Sequence, residues 1–269
     1  MKVAIIGIGR WGKILLGELG KLAEVKYQCD SKTDLNQVFN DPEVKAVFIA
    51  TPTETHFEIA SKVLEAGKHT FLEKPGTTNS TDLERLVKLA KTNGLRLAVG
   101  YEFPHHPAVQ KIKELTLGQN IAFARLEYQK WGTFKDSIVT NLLCHDVSIL
   151  NYLNIDTSST SADKTGVVTE ADILTTRFGS QAISIINRVN PNKQRTILIK
   201  LENTSFLWSN HELFEIVGEE MKKIDLPDIT PVTAELTDFF SAIEQNNEPL
   251  MNGDFALEVF RTIEKVGAN

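Results

Sequence analysis

The first twelve residues constrain the fold more than any other part of this chain. Val3 to Ile6 is an unbroken apolar run, too short for a buried helix and rich in β-branched side chains. Such a run is typical of a strand that is buried on both faces of a parallel sheet. Gly7, Gly9 and Gly12 follow it directly, and an amphipathic helical stretch comes next. A strand, a G-x-G-x-x-G turn and a helix in this order predict a dinucleotide site.

The spacing of the three glycines suits a bound pyrophosphate. The first allows a tight turn, the second lets the backbone approach the phosphates, and the third lets the helix pack close to the strand. The N-terminus of the helix adds unpaired N–H groups and a partial positive charge. We therefore expect the whole turn to contact the cofactor, namely Gly7, Ile8, Gly9, Arg10, Trp11 and Gly12.

An acidic residue stands where a dinucleotide site needs one. A second strand, Val25 to Cys29, ends in Asp30, about 20 residues beyond the glycine motif, where a carboxylate can accept hydrogen bonds from the adenosine ribose. Asp30 and the adjacent Ser31 are therefore expected cofactor contacts. The carboxylate favours NAD, whereas Lys32 could neutralise a 2′-phosphate and leaves NADP possible.

Strands and helices alternate through the first 118 residues. Helical segments separate five apolar runs, at Val3–Ile6, Val25–Cys29, Ala46–Ala50, Thr70–Glu73 and Arg96–Gly100. This alternation predicts right-handed βαβ units and a doubly wound parallel sheet of α/β class. We assign residues 1–118 to this cofactor-binding domain.

The pattern changes in residues 119–269, which we assign to a second domain. One amphipathic helix is predicted from Ser137 to Leu153, with a hairpin turn at Gly179-Ser180. Consecutive strands with no helices between them predict an α+β domain with a largely antiparallel sheet. The strand runs are Ile121–Trp131, Asp172–Phe178, Ala182–Val189, Thr196–Leu201, Ser205–Trp208 and Leu213–Val217, and the closing helices are Ala234–Gln245 and Phe255–Val266.

Composition excludes several classes of function. With 42% hydrophobic and 24% charged residues, the 269-residue chain is typical of a soluble globular protein. A net charge of −6 argues against a nucleic-acid partner. Two cysteines form no disulfide framework and suit a reducing compartment, and the sequence has no 18-residue apolar stretch. We expect a cytoplasmic protein with no membrane contact.

Lys74 is the first candidate for chemistry. The segment Glu73-Lys74-Pro75 follows a predicted parallel strand, and ligands bind beyond the carboxyl ends of such strands. Lys74 would then point toward the nicotinamide. The alternative is an ordinary surface lysine at the end of a strand.

A predicted helix carries the second candidate. Asn141 and His145 are four residues apart and share one face, so His145 could take a hydroxyl proton while Asn141 orients its ring. The alternative is a helix histidine capped by its neighbours. His145-Asp146 also suggests a metal, but no third ligand is suitably spaced, so we predict no metal site.

Two further histidines follow the last strand of the first domain. His105 and His106 are adjacent, and adjacent side chains point in different directions. They could line a cleft, but the favoured interpretation is that they cap the helix from Ala108 to Leu115.

Taken together, these motifs resemble the Gfo/Idh/MocA oxidoreductases, the relatives of glucose–fructose oxidoreductase and inositol dehydrogenase. The resemblance covers nearly the whole chain, and its narrower features resemble the branch associated with nucleotide-sugar and surface-polysaccharide synthesis. It rests on Gly7–Lys13, Ala50–His56, Glu65–His69, Glu73–Pro75, the Pro107-Ala-Val run and His145–Leu150.

The resemblance implies an NAD(P)-dependent dehydrogenase or reductase with a Rossmann domain and an open C-terminal sheet. The cofactor would lie between the domains, Lys74 near the substrate hydroxyl, and His145 would be the acid/base. The substrate would be a sugar or cyclitol, more narrowly a nucleotide-linked sugar, and the open sheet would form a homodimer or homotetramer. The family motifs add cofactor contacts at Thr51, Pro52, His56, Glu73 and Lys74.

Three features depart from the family pattern. Asn141 stands where the family usually has Asp, so His145 lacks an anionic partner. The segment between Asp30 and Asp41 is short, and the whole chain is shorter than most relatives. These departures motivate an alternative function, a non-catalytic subunit that binds NAD or a sugar and regulates a partner.

Overall fold

The computed structural model describes residues 1–268, and at residue 268 the backbone alone. The first sheet has five strands in the order β2-β1-β3-β4-β5, and every neighbouring pair is parallel. This is a doubly wound strand order, so the predicted parallel α/β sheet is confirmed. The strands are β1 (Lys2–Ile6), β2 (Glu24–Cys29), β3 (Val44–Ile49), β4 (His69–Glu73) and β5 (Leu97–Gly100).

Helices connect these strands where the sequence predicts them. Gly67 and Gly94, both with positive φ, follow two of the helices, as expected of C-terminal glycines. Asn79 caps another helix, because its side-chain oxygen accepts the Asp82 N–H. The helices are α1 (Arg10–Leu22), α2 (Asn36–Phe39), α3 (His56–Glu65), α4 (Ser80–Thr92) and α5 (Pro107–Leu115).

The end of the chain returns to the parallel sheet. Helix α7 (Pro231–Gln245) packs Phe239 and Phe240 against Phe48 of the sheet, with ring centroids 5.6 Å apart in both contacts, and Phe239 also lies 5.6 Å from Phe71. Contacts accordingly divide the chain into two compact units, Met1–Glu102 with Pro231–Phe260, and Phe103–Thr230 with Arg261–Asn269. Our domain boundary at residue 118 stays a prediction.

The second unit contains an eight-stranded sheet in the order β13-β12-β11-β10-β6-β9-β8-β7. Within this second sheet, β6–β9 is the only parallel pair of the described strands, and the other pairs are antiparallel. The predicted largely antiparallel sheet is therefore confirmed. The strands are β6 (Phe123–Trp131), β7 (Thr160–Thr165), β8 (Ile173–Phe178), β9 (Ala182–Asn187), β10 (Val189–Lys200), β11 (Ser205–Ser209), β12 (Glu212–Val217) and β13 (Glu220–Ile224).

Two of these strands were missed in the sequence. β7 and β13 are the edges of the sheet, and most of their side chains are exposed. Exposed edge strands lack the apolar alternation on which strand prediction depends. The hairpin at Gly179-Ser180 is confirmed, because β8 and β9 pair antiparallel around it.

The chain is helical over most of Ser137 to Leu153, as predicted, but it does not form one regular amphipathic helix. A π-helical segment, Val139–Leu143, leads into helix α6 (Cys144–Tyr152), and Cys144 to Leu150 are all buried. The mixture of apolar and polar letters suggested one exposed face, whereas the polar residues His145, Asp146 and Ser148 of α6 are all buried. The last helix is α8 (Gly253–Ala268), and no described helix is both long and apolar enough to span a bilayer.

Candidate functional site

The glycine turn joins β1 to α1, and packing requires two of its glycines. Gly7 has φ +96°, and a Cβ there would lie 2.6 Å from the backbone of Ala50. A Cβ on Gly12 would lie 1.9 Å from the carbonyl oxygen of Gly7. A Cβ on Gly9, by contrast, would meet no described atom within 4 Å. The backbone at Gly9 is therefore open to a ligand, as a pyrophosphate site requires.

Helix α1 presents its N-terminus at the same turn. Gly9 is the N-cap, no side chain of the described residues caps it, and the first turn contains no acidic residue. The first N–H groups of a helix have no intrahelical partner and carry a partial positive charge. This N-terminus therefore fits an anionic group such as a pyrophosphate.

Asp30 lies at the carboxyl end of β2 in an exposed turn. Its Oδ1 accepts hydrogen bonds from the Lys32 N–H at 2.9 Å and the Thr33 hydroxyl at 3.0 Å. The Lys32 N–H above all lowers the pKa of the Asp30 carboxyl. Oδ2 takes part in neither bond, so it can accept a hydrogen bond from a ribose hydroxyl. Ser31 is exposed in the same turn.

The His56 side chain links the loops that follow strands β3 and β4 at their carboxyl ends. Its ring nitrogens lie 2.8 Å from the Thr51 carbonyl oxygen and 3.1 Å from that of Gly76. Burial lowers the pKa of the ring. The imidazole thus fixes the loop that holds Thr51 and Pro52, and direct contact of these three residues with a cofactor stays a prediction.

Glu73 connects the end of β4 to the glycine turn. The indole N–H of Trp11 donates a hydrogen bond to its Oε1. Burial raises the pKa of Glu73 to about 7, outweighing the opposite effects of Trp11 and Lys74. Lys74 follows in a turn and is half-buried. The glycine turn and the end of β4 are therefore in direct contact through Trp11 and Glu73.

Sequence analysis missed Glu235 on α7. Its side chain is 4% exposed, and Oε1 has no hydrogen-bond partner within residues 1–268. Burial, followed by the charge of Glu73, raises the pKa of Glu235 well above the usual value. Its spacing was a usable signal, because Glu235 shares the apolar helix face of Val232, Leu236 and Phe239.

The second unit carries His145 in the first turn of α6. The ring is buried, and its centroid lies 5.0 Å from that of Phe103 in an edge-to-face arrangement. Asn141 precedes it in the π-helical turn, and its amide donates to Asp136 Oδ2 at 3.1 Å. The predicted alignment of Asn141 with His145 assumed α-helical spacing, which a π turn does not keep. A hydrogen bond between them stays a prediction.

Asp146, the residue after His145, is fully buried and bound by protein donors. Ser184 on β9 donates to Oδ2, and Arg195 on β10 forms an ion pair with Oδ1. No group of three or more metal-ligating side chains occurs in the described part of the chain. Asp146 therefore anchors α6 to the sheet.

His106 caps helix α5, as the favoured interpretation predicted. Its Nδ1 accepts the Ala108 N–H at 3.1 Å, and its ring centroid lies 4.2 Å from that of Trp208. Burial, followed by the charges of Arg195 and His211, lowers the pKa of His106 to about 4. His106 is therefore a neutral capping residue at physiological pH. His105 beside it is also buried.

Comparison with known proteins places the chain among oxidoreductases. Residues 18–101 match the model of the oxidoreductase family with an NAD-binding Rossmann fold, Gfo/Idh/MocA. The chain is 25% identical to UDP-N-acetylglucosamine 3-dehydrogenase of Acidithiobacillus ferrooxidans, over 94% of this chain and 92% of the relative. It is 34% identical to dTDP-3,4-didehydro-2,6-dideoxy-alpha-D-glucose 3-reductase of Saccharopolyspora spinosa, over 34% of this chain and 27% of the relative.

A solved structure of the Acidithiobacillus ferrooxidans enzyme has the same fold. It superimposes with a TM-score of 0.93 at 22% identity and covers 100% of this chain and 97% of the other. The glycine turn, the β4 segment and the matched family model agree with the resemblance seen in the sequence. Residues 18–101 thus match the Gfo/Idh/MocA oxidoreductase family with an NAD-binding Rossmann fold, and the whole chain shares the fold of the Acidithiobacillus ferrooxidans enzyme.

Proposed function

We propose that this protein is an NAD-dependent oxidoreductase that interconverts a secondary alcohol and a ketone on a nucleotide-linked sugar. The observation that carries the proposal is the contact of the glycine turn, through Trp11, with Glu73 at the carboxyl end of β4, directly before Lys74. Ligands bind at this edge of doubly wound sheets. The nicotinamide, when bound, accepts or returns the hydride of the carbinol carbon.

In the proposed reaction His145 and Lys74 both interact with the oxygen atom of the substrate that is oxidised or reduced. During oxidation His145 takes the hydroxyl proton, and during reduction it returns that proton. The Lys74 ammonium stabilises the negative charge that develops on the oxygen. Asn141 would orient His145 through an amide, which cannot stabilise the imidazolium as a carboxylate would.

The preference for NAD rests on Asp30. Its lowered pKa keeps the carboxylate charged at neutral pH, so it repels a 2′-phosphate and accepts from ribose hydroxyls. Lys32 in the same turn could neutralise a 2′-phosphate. We therefore propose a preference for NAD over NADP and not an exclusion.

A nucleotide-linked sugar is favoured as substrate by the two relatives, both of which are named for reactions at a sugar carbon. The similarity to the Acidithiobacillus ferrooxidans enzyme supports this most, because it extends over 92% of that protein. The second sheet has a half-buried apolar face, which includes Ile183, Ile185 and Leu198. We propose that this face joins copies of the chain into a cytoplasmic homodimer or homotetramer.

The proposal is tested by following cofactor reduction with a panel of UDP- and dTDP-linked sugars. We expect measurable reduction of NAD with at least one UDP-linked sugar, and a lower rate of reduction when NADP replaces NAD. Calorimetry on the same preparation measures NAD binding separately. Binding of NAD without turnover of any sugar in either direction would favour the non-catalytic alternative.

A further inference from the structure

The helical turn that carries His145 is held against the sheet by one buried ion pair. Asp146 follows His145 directly, and both of its carboxylate oxygens accept hydrogen bonds, one from Ser184 and one from Arg195. The side chains of Asp146 and Arg195 are 0% and 6% exposed. The backbone at His145 is therefore fixed by donors on two strands, β9 and β10, which lie on either side of β6.

The same arginine also supports the ring that contacts His145. The guanidinium of Arg195 lies 4.5 Å from the ring centroid of Phe103 and 4.9 Å from that of Tyr128. Phe103 in turn meets the His145 ring edge-to-face. Because planar stacking fixes the position of both partners, a shift of the guanidinium would move the aromatic wall beside His145.

A second buried ion pair in the same unit, between Arg188 and Asp172, serves as a comparison for Arg195. Arg188 donates from all three of its nitrogens, to Asp172, to the Thr169 hydroxyl and to two backbone carbonyls. Arg195 donates to Asp146 from Nη2, whereas Nε and Nη1 have no acceptor in residues 1–268. A buried cation with unused donors is costly, so Arg195 is not explained by stability alone.

We infer that Arg195 is a positioning residue for His145, acting through Asp146 on the helix backbone and through Phe103 on the ring. The inference rests on the proposed function, in which His145 transfers the hydroxyl proton. A displacement of about 1 Å of a catalytic group can cost about 100-fold in rate. We call Arg195, Asp146 and Phe103 together the clamp. Disturbing the clamp should therefore reduce turnover more than it reduces the binding of NAD.

The test uses Arg195→Lys, which keeps the charge but loses the planar stacking, and Phe103→Leu, which keeps the ion pair but loses the ring contact. Ile199→Ala is the matched control, because Ile199 is fully buried on the same strand and its truncation costs stability without touching the clamp. Measured quantities are kcat, the KM for NAD, the pH–rate profile and the NMR titration of His145 in the cofactor-free protein.

We expect Arg195→Lys and Phe103→Leu to lower kcat about 10-fold to 100-fold, to leave the KM for NAD within about 2-fold, and to shift the titration of His145. Ile199→Ala should lower the unfolding temperature and shift neither the titration nor the pH–rate profile. If one clamp variant does not fold, the other decides.

Two results would overturn the inference, and they are distinguishable. If both clamp variants behave like Ile199→Ala while His145→Asn is inactive, Arg195 is structural and the proposed function stands. If His145→Asn keeps near-native activity, His145 is not the base, so the inference and that part of the proposed function both fail.

Discussion

The buried acidic residues of the two units differ in the partners that they contact. In the second unit, buried Asp146 and Asp172 each form an ion pair with a buried arginine. In the first unit, Glu73 accepts a hydrogen bond from a neutral indole, and Glu235 has an oxygen without a partner in the described chain. Hydrogen bonds hold the pKa of Asp172 below its usual range, whereas burial raises the pKa of Glu73 to about 7 and that of Glu235 well above its usual value.

The position of the two kinds of acid explains the difference. Asp146 and Asp172 anchor helix α6 and a loop to the second sheet through buried ion pairs with Arg195 and Arg188. Glu73 lies at the carboxyl end of β4, where Trp11 of the glycine turn contacts it, directly before Lys74. A carboxyl that changes its charge near pH 7 belongs at a ligand-binding edge, where perturbed groups concentrate.

Removal of the Lys74 charge should have the largest effect. Lys74→Ala should lower turnover about 10²- to 10³-fold, the loss typical of one preorganised group at a developing oxyanion. It should also raise the pKa of Glu73 further, because the neighbouring cation favours the ionised form. Steady-state rates measure the first effect and calorimetry shows that NAD still binds. Lys62→Ala, on the exposed face of α3, should leave the rate unchanged.

Breaking a paired acid should have the next largest effect. Asp172→Asn leaves the buried Arg188 without its counter-ion, so the unfolding temperature at neutral pH should fall by on the order of 10 °C. Although burial opposes ionisation, hydrogen bonds from Thr169, Val167 and Val168 hold the pKa of Asp172 well below its usual range.

The sign of the pH dependence follows from that lowered pKa. The unfolded carboxyl binds protons at a higher pH than the folded one, so the contribution of Asp172 is full above the unfolded pKa and disappears as the pH falls. Thermal unfolding across acidic pH should therefore converge for wild type and Asp172→Asn. A constant difference at all pH values would contradict the paired assignment.

Glu73→Gln should act in the opposite direction and more weakly. The pKa of Glu73 is raised to about 7, so the folded protein binds this proton more tightly than the unfolded chain. The wild type therefore loses stability as the pH rises from the unfolded pKa toward about 7. Gln cannot ionise and still offers an oxygen to Trp11, so it should raise the unfolding temperature above pH 7 by about 5 °C. Equal pH slopes in the two proteins would refute this.

Asp30 is exposed, and its replacement should have the smallest effect. Asp30→Asn removes the charge that repels a 2′-phosphate, so the preference for NAD over NADP should shrink by about tenfold. Calorimetric titration with both cofactors measures the ratio of their dissociation constants. Asp34→Asn is the control, because Asp34 is a nearby exposed acid that bonds to Asn36. An unchanged ratio in Asp30→Asn would remove Asp30 from the cofactor site.

Local chemistry made much of the first unit predictable. Gly7 and Gly12 are required by backbone contacts between neighbouring elements, and the buried runs of β1 and β3 need no distant partner to be recognised. The exposed strands β7 and β13 carried no such pattern. The π-helical turn before His145 was also invisible, because the letters from Ser137 to Leu153 fit an ordinary helix.

The residues that support the candidate site were harder to predict because their partners are distant in sequence. Trp11 contacts Glu73, 62 residues away in sequence, and Asp146 contacts Arg195, 49 residues away. Arg195 did offer a clue, since it falls on the inward-facing positions of β10 with Ile197 and Ile199. A charged residue in an apolar alternation demands a buried counter-ion, but extending the strand to Arg195 required the β10–β6 pairing.

The most direct test of the central claim is the transfer of hydrogen from sugar to cofactor. The protein is incubated with NAD and UDP-N-acetylglucosamine that carries deuterium at C3, the carbon named in the reaction of the Acidithiobacillus ferrooxidans relative. Mass spectrometry then measures deuterium in the reduced cofactor. We expect deuterated NADH from the wild type and about 10²- to 10³-fold less from Lys74→Ala. Bound NAD that remains oxidised and free of deuterium with this and other UDP-linked sugars would contradict this expectation.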